Sequence, residues 1–230
     1  MTEDSRAGLG RLTRLLAVLG LGLGVASGLG ACNGTVGLRP ELAASAAKRD
    51  ALGLLDALEA LIDAQQDTTE DREAAYAAVR EWEQPTAAYA FARAAITGRA
   101  AQQRGVEAEE LLHELERYAI KSRELDPGFR KGAAARMLGT LYVLAPAAML
   151  EHGDSEKGLE ILEKLATKYP NDPENHLRLA QGFVSLNDKD AAHAPLCTCL
   201  GARASLRPDS QRLLAELVGE VGGEAKLTCP

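Results

Sequence analysis

Four residues in the C-terminal part of the chain could do chemistry together: His193, Cys197, Cys199 and Cys229. His193 and Cys197 are four residues apart, so on a helix they would share one face, as the ligands of a metal ion do. Cys197 and Cys199 are only two residues apart, about 200° around a helix, and would face opposite ways. The spacing therefore argues against a single metal site on a regular helix, and leaves a metal- or redox-active protein as one alternative.

The fourth cysteine, Cys32, follows a segment typical of a secretory signal. The first fourteen residues carry three arginines, an uncharged run from Leu15 to Leu29 follows, and small residues precede the cysteine. The sequence Leu-Gly-Ala-Cys, ending at Cys32, resembles the lipobox of bacterial lipoproteins. This resemblance implies that residues 1–31 are a lipoprotein signal peptide and that the Cys32 thiol receives a diacylglyceryl group. The uncharged run is also too short for a membrane-spanning helix, which needs about 20 residues.

Secretion determines the compartment in which the remaining cysteines work. Lipidation at Cys32 predicts a chain that is anchored to a membrane and faces the bacterial periplasm. Asn33 stands where an aspartate would favour inner-membrane retention, so the outer membrane is favoured over the inner. Thiols oxidise outside the cytoplasm, and we expect one disulfide from Cys229 to either Cys197 or Cys199, with one cysteine left over. Three buried or free thiols are the alternative.

The composition and the missing motifs exclude several classes of function. The chain has 230 residues, a net charge of −7 and no basic stripe, which argues against nucleic acid as a partner. The sequence contains no zinc-protease, serine-hydrolase or phosphate-loop motif. It therefore predicts a protein that is not an enzyme, with no catalytic residue, no metal and no cofactor.

The residues after the signal divide into a tether, a helical domain and a tail. Residues 32–39 are polar and contain glycine, which is typical of a short tether, and residues 222–230 form the tail. Residues 40–221 have apolar side chains at helical spacing and no alternating strand pattern. We predict an all-α domain of about nine helices, the first of which spans residues 41–65.

A repeat over residues 128–206 predicts how the helices stack. In its first unit Leu138-Gly139 precedes Tyr142, and in its second unit Leu179-Ala180 precedes Phe183. This pattern resembles the first helix of a tetratricopeptide repeat (TPR), in which paired helices approach closely at small residues. We predict a TPR-like α-solenoid of stacked antiparallel helical hairpins, because one hairpin cannot bury its apolar face alone. An unrelated helical bundle is the alternative.

The returning helix of each unit supports the same repeat. Gly158 in the first unit and Ala192 in the second each stand four residues before a leucine, Leu162 and Leu196. The first unit is longer than an ordinary repeat by about seven residues, around residues 144–150. If these residues are helical, they lengthen the hairpin by about 10 Å.

The inner helices of a solenoid turn some side chains toward a concave face, where such proteins bind their partners. The side chains predicted to face this surface come from both units: Arg136, Thr140, Val143, Leu177, Arg178, Gln181 and Val184. The alternative is that these side chains fill the contacts between neighbouring hairpins.

The combination of these features resembles one family, the T component of tripartite ATP-independent periplasmic (TRAP) transporters. The likeness rests on the lipobox, the degenerate hairpins and a Leu-Gly…Tyr…Ala-Pro…Gly-Asp stretch from Leu138 to Asp154, and it is clearest from Glu110 to Leu200. It implies a periplasmic solenoid that forms a trimer around a central pore and partners a solute-binding protein. We expect a protein of that kind, or a small apolar ligand, as the binding partner. An adaptor or assembly lipoprotein of the envelope, with no transport role, is the alternative.

Overall fold

The computed structural model describes residues 37–229, so Cys32 and the predicted signal lie outside the described residues. Within this range the chain forms ten α-helices and no β-strand, which confirms the predicted all-α class. No helix in the described range is both long and apolar enough to cross a membrane. The helices are α1 Pro40–Ala47, α2 Ala51–Asp63, α3 Thr69–Arg80, α4 Ala87–Arg104, α5 Glu109–Leu125, α6 Ala133–Leu144, α7 Ser155–Lys168, α8 Pro173–Ser185, α9 Lys189–Gly201 and α10 Pro208–Glu220.

The helix predicted over residues 41–65 is in fact two helices, α1 and α2. Between them Arg49 has a φ of 52°, in the left-handed region where a right-handed helix cannot continue. Asp50 then caps α2, because its side chain accepts a hydrogen bond from the backbone amide of Gly53. The prediction of one helix was wrong because the apolar spacing continues across this break. The division of this segment into α1 and α2 accounts for a tenth helix.

Consecutive helices pack against each other, above all α4 with α5, α6 with α7 and α8 with α9. Two glycines let α6 and α7 approach closely. A Cβ on Gly139 would lie 3.0 Å from the carbonyl oxygen of Gly158, and a Cβ on Gly158 would lie 2.8 Å from that of Gly139. On α9, Ala192 is fully buried. The small residues of the sequence repeat are therefore packing positions between paired helices.

The additional residues 144–150 of the first unit do not lengthen α6. The helix ends at Leu144, and a 3-10 turn spans Ala147–Met149. Pro146 ends the helix because it has no backbone amide to donate, and because its ring disfavours the helical conformation at the preceding residue. The extension of about 10 Å that a helical segment would give is therefore absent.

The last helix, α10, packs on the preceding helices α8 and α9 and also on α2, which lies far earlier in the chain. Arg207, just before α10, pairs with Asp63 at the end of α2 at 3.0 Å. The backbone amide of Asp209 donates a hydrogen bond of 3.1 Å to the same carboxylate. The following tail returns to α9, where its Leu227 is buried among apolar side chains. The C-terminal part of the described chain is thus fixed at two places.

Candidate functional site

A cavity of about 920 Å³ lies between the helices. Most of its lining comes from α2, α4, α6, α8 and α10, whereas α7 and α9 contribute nothing to it. The even-numbered helices therefore form an inner layer around the cavity. Sites that hold small molecules have volumes of about 300–1,000 Å³, so this cavity is large enough to be one.

Four of the seven side chains predicted for the concave face line this cavity. Arg136 and Thr140 reach it from α6, and Arg178 and Gln181 reach it from α8. Each pair is separated by three or four residues, which places its members on one side of a helix. The structure thus brings these four predicted side chains together at one cavity.

The other three predicted residues, Val143, Leu177 and Val184, do not line the cavity. Leu177 is fully buried, and Val143 and Val184 are each 8% exposed. Val143 packs with side chains of α7 and α8, and the other two pack with those of α9 and α10. Their assignment to a binding surface was wrong because these apolar side chains gain more from burial between helices than from facing solvent. The alternative interpretation, contact between neighbouring hairpins, describes them correctly.

Seven arginines line the cavity, and five of them have a carboxylate partner. Arg99 illustrates the pairing: it lies 2.9 Å from Glu59 and 3.0 Å from Asp209. The other pairs among these five are Arg72 with Asp67, Arg130 with Asp56, Arg207 with Asp63 and Arg212 with Asp209. The charge of these five side chains is therefore neutralised within the protein.

Arg136 and Arg178 are the exceptions. Arg136 donates to the amide oxygen of Asn175 at 2.8 Å, and Arg178 donates to that of Gln181 at 2.9 Å. Neither guanidinium has a carboxylate oxygen within 4.0 Å among the residues that the structure describes. Burial lowers the pKa of both side chains below the ordinary value for arginine, although Glu174 acts in the opposite direction. Helical spacing placed both arginines on one surface, but it carried no signal for their lack of carboxylate partners.

A second part of the cavity lining is an apolar wall. Its side chains are Phe91 of α4, Leu112 and Leu115 of α5, Met137, Leu141 and Leu144 of α6, and Met149 of the following turn. On α6, Met137 and Leu141 pack with the core of the first helices, whereas Arg136 bonds to α8. One helix therefore presents an arginine toward one side of the cavity and apolar side chains toward the other.

Glu116 of α5 holds the segment that completes this wall. Its carboxylate accepts hydrogen bonds from the backbone amides of Glu151 and His152, at 2.9 and 3.0 Å. Burial tends to raise the pKa of Glu116, but these bonds and one from the Tyr142 hydroxyl outweigh it and lower that pKa. This role of Glu116 was not predictable from residue spacing, because the bonded amides lie 35 and 36 residues further along the chain.

The cysteines do not meet at the cavity. Cys197 and Cys229 form a disulfide, and Cys199 is a buried free thiol whose Sγ lies 3.4 Å from the carbonyl oxygen of Pro173. Burial raises the pKa of Cys199 to about 12, which keeps it as an unreactive thiol. The disulfide takes two of the sulfurs that a metal site at His193 would need. Over residues 37–229, no group of three or more side chains is arranged to hold a metal ion.

The fold and the site together define a class: an all-α protein of paired helices with a polar and apolar cavity inside its inner layer. No known family model matches the chain, and no curated protein matches it significantly in sequence.

Proposed function

We propose that this chain is a non-enzymatic, membrane-anchored binding protein of the bacterial envelope, which holds a small ligand or a protein partner at its cavity. The cavity carries the proposal. Four side chains that helical spacing directs to a concave face, Arg136, Thr140, Arg178 and Gln181, line a space of about 920 Å³. A volume of that size is typical of a ligand site, and the lining combines apolar side chains with charged and polar ones.

The packing of the helices supports a TPR-like solenoid as the architecture of this domain. The paired helices approach at Gly139 and Gly158, where the sequence repeat has its small residues. In each pair one helix belongs to the inner layer. Its partner contributes few residues to the cavity or none. Solenoid proteins bind their partners on the concave surface that their inner helices form.

The lipobox at Cys32 supports anchoring on the periplasmic side of a membrane, the outer membrane in preference to the inner. The resemblance to the T component of TRAP transporters supports an accessory role in solute uptake, in which the chain assembles as a trimer and partners a solute-binding protein. The adaptor of envelope assembly remains the competing function.

Site-specific photo-cross-linking in native membranes tests this proposal. Leu144 is 47% exposed and lies at the cavity, whereas Leu125 is 50% exposed and does not line it. A photoreactive amino acid is placed at one position or the other in the full chain, and captured proteins are identified by mass spectrometry. We expect capture of a periplasmic solute-binding protein from position 144 and not from the matched position 125.

Other results would overturn parts of the proposal. Capture of envelope-assembly proteins at position 144 would replace the transport role with the adaptor role. Equal capture from both positions would remove the cavity as the binding surface. A Cys32→Ser chain serves as the control for anchoring: we expect it to leave the membrane fraction, and its retention would contradict lipidation at Cys32.

A further inference from the structure

The two arginines without counter-ions indicate which ligands the cavity takes. We infer that Arg136 and Arg178 bind the acidic head group of a single-chain amphiphile, a carboxylate or a phosphate, whose aliphatic chain lies along the apolar wall. This inference rests on the proposed function in one respect, that the cavity is a ligand site. It adds the charge and the chemical class of the ligand.

The first argument is electrostatic. Burying a cation is costly unless an anion or several hydrogen-bond acceptors compensate it. Every other arginine at the cavity has a carboxylate partner, so the protein compensates such charges where it can. Arg136 and Arg178 have one amide partner each and lie close enough for their charges to repel, which lowers the pKa of Arg178 further. An anion between the two arginines would compensate the cost of taking their charges out of water and would reduce the repulsion between them.

The second argument is geometric. A guanidinium is a planar fork whose parallel N–H groups match the two oxygens of a carboxylate or phosphate. Arg136 bonds to Asn175, which lies three residues before Arg178 on α8, so the two forks approach from adjacent helices. The amide of Gln181 and the hydroxyl of Thr140 also line the cavity and add neutral polar groups. The one carboxylate of α8 that lines it, Glu174, acts on both arginines but lies more than 4.0 Å from each guanidinium. Such a set suits one compact acidic group.

The third argument concerns the rest of the ligand. Beyond the arginines, α4, α5 and α6 present phenylalanine, leucine and methionine side chains to the cavity. Met137 and Met149 are flexible and polarisable, and such side chains adapt to aliphatic ligands of varied shape. Leu144 at the rim is 47% exposed, an exposure that a bound apolar chain would reduce. A small inorganic anion would leave Leu144 exposed and Met137 and Met149 half-buried, whereas a fatty acid or an alkyl phosphate would cover them.

Photolabelling with three probes of equal chain length tests the inference on the full chain in phospholipid nanodiscs. The probes are a diazirine-bearing fatty acid, the corresponding alkyl phosphate and the neutral primary amide. Labelled peptides are mapped by mass spectrometry. We expect one or both anionic probes to label residues 137–157, which carry the apolar wall of α6 and its following turn. The difference in labelling between the acid and the phosphate then shows which of the two head groups the cavity binds.

Arginine variants provide the control. We expect Arg136→Gln and Arg178→Gln each to lower this labelling about tenfold or more, since hydrogen bonds to charged groups are the strong ones. Arg104→Gln removes an arginine that is paired with Glu73 and does not line the cavity, and should change nothing. Circular dichroism melting curves verify that each variant is folded.

Three results would overturn the inference. Equal labelling by the amide would show a neutral ligand site, and the proposed function would stand without the head-group site. An equal loss with Arg104→Gln would show general electrostatic attraction rather than binding at the two arginines. If no probe labels residues 137–157 while the cross-linker at Leu144 still captures a protein, the cavity serves a protein partner and the amphiphile is excluded.

Discussion

Arg99 on α4 and Asp209 on α10 are 110 residues apart in the chain and are joined by a hydrogen bond of 3.0 Å. The same guanidinium donates to both carboxylate oxygens of Glu59 on α2, at 2.9 and 3.0 Å. One arginine thus connects three of the helices that surround the cavity. The shape of the cavity depends on this contact as well as on the packing of consecutive helices.

Removing this arginine should destabilise the domain. Arg99→Met removes the cation that joins two half-buried carboxylates. Each of these carboxylates keeps one other arginine partner, Arg207 for Glu59 and Arg212 for Asp209. We expect the free energy of unfolding to fall by about 2 kcal/mol. Urea unfolding followed by circular dichroism measures the change. Arg130→Met is the matched control, since its pair with Asp56 is largely exposed and should contribute less than about 1 kcal/mol. Equal effects of the two substitutions would show that the Arg99 contacts add nothing particular.

Removing an arginine that has no carboxylate partner should instead stabilise the domain. Arg178→Met eliminates a half-buried cation that has no carboxylate partner among the described residues. We expect the free energy of unfolding to rise by about 1 kcal/mol, as is common when a binding site is replaced by apolar packing. The thermal midpoint of the ligand-free protein is the measurement. A loss of stability as large as that of Arg99→Met would mean that Arg178 is a structural residue.

These two arginines also mark how far the sequence could predict the site. The spacing of Arg136, Thr140, Arg178 and Gln181 is local, so helical periodicity was enough to place them on the inner surface. The absence of carboxylates around Arg136 and Arg178 depends on how helices far apart in the chain pack together. A single sequence carries no signal for that arrangement.

The disulfide should stabilise the C-terminal part of the chain. Cys197 and Cys229 close a loop with a sequence separation of 32, and a loop of that length contributes about 4 kcal/mol in the chain-entropy model. We expect Cys229→Ser to lower the urea midpoint and dithiothreitol to lower that of the wild type to the same value. The urea midpoint of the Cys199→Ala variant should still fall on addition of dithiothreitol, because this variant keeps the disulfide. If peptide mapping instead joined Cys229 to Cys199, the structural pairing would be contradicted.

Acid should weaken the bonds that hold the segment after α6. The folded protein keeps the pKa of Glu116 below its ordinary value of 4.5, so the unfolded chain binds a proton more readily than the native one. Stability from Glu116 is therefore present above about pH 4.5 and is lost as the pH falls through the lower, folded pKa. We expect Glu116→Gln to reduce the dependence of unfolding free energy on pH below that value. An unchanged dependence would assign the acid sensitivity to other carboxylates.

The fold itself was predictable where short-range signals decide it. The small residues Gly139 and Gly158 and the end of α6 near Pro146 follow from spacing and from proline chemistry. The break at Arg49 was missed because the apolar pattern continues through it. The role of Glu116 was missed for a different reason: its partners are backbone amides, which leave no trace in residue type.

Identification of the ligand that the protein carries when it is isolated from its own membranes tests the central claim most directly. The full chain is purified without added lipid and extracted with organic solvent, and the extract is analysed by mass spectrometry beside that of a double variant, R136Q with R178Q. We expect the wild type to carry a single-chain carboxylate or phosphate amphiphile in near-equimolar amount, and the variant to carry almost none. Recovery of only neutral molecules, or of the same anion in equal amount from the variant, would contradict an acidic ligand held by Arg136 and Arg178.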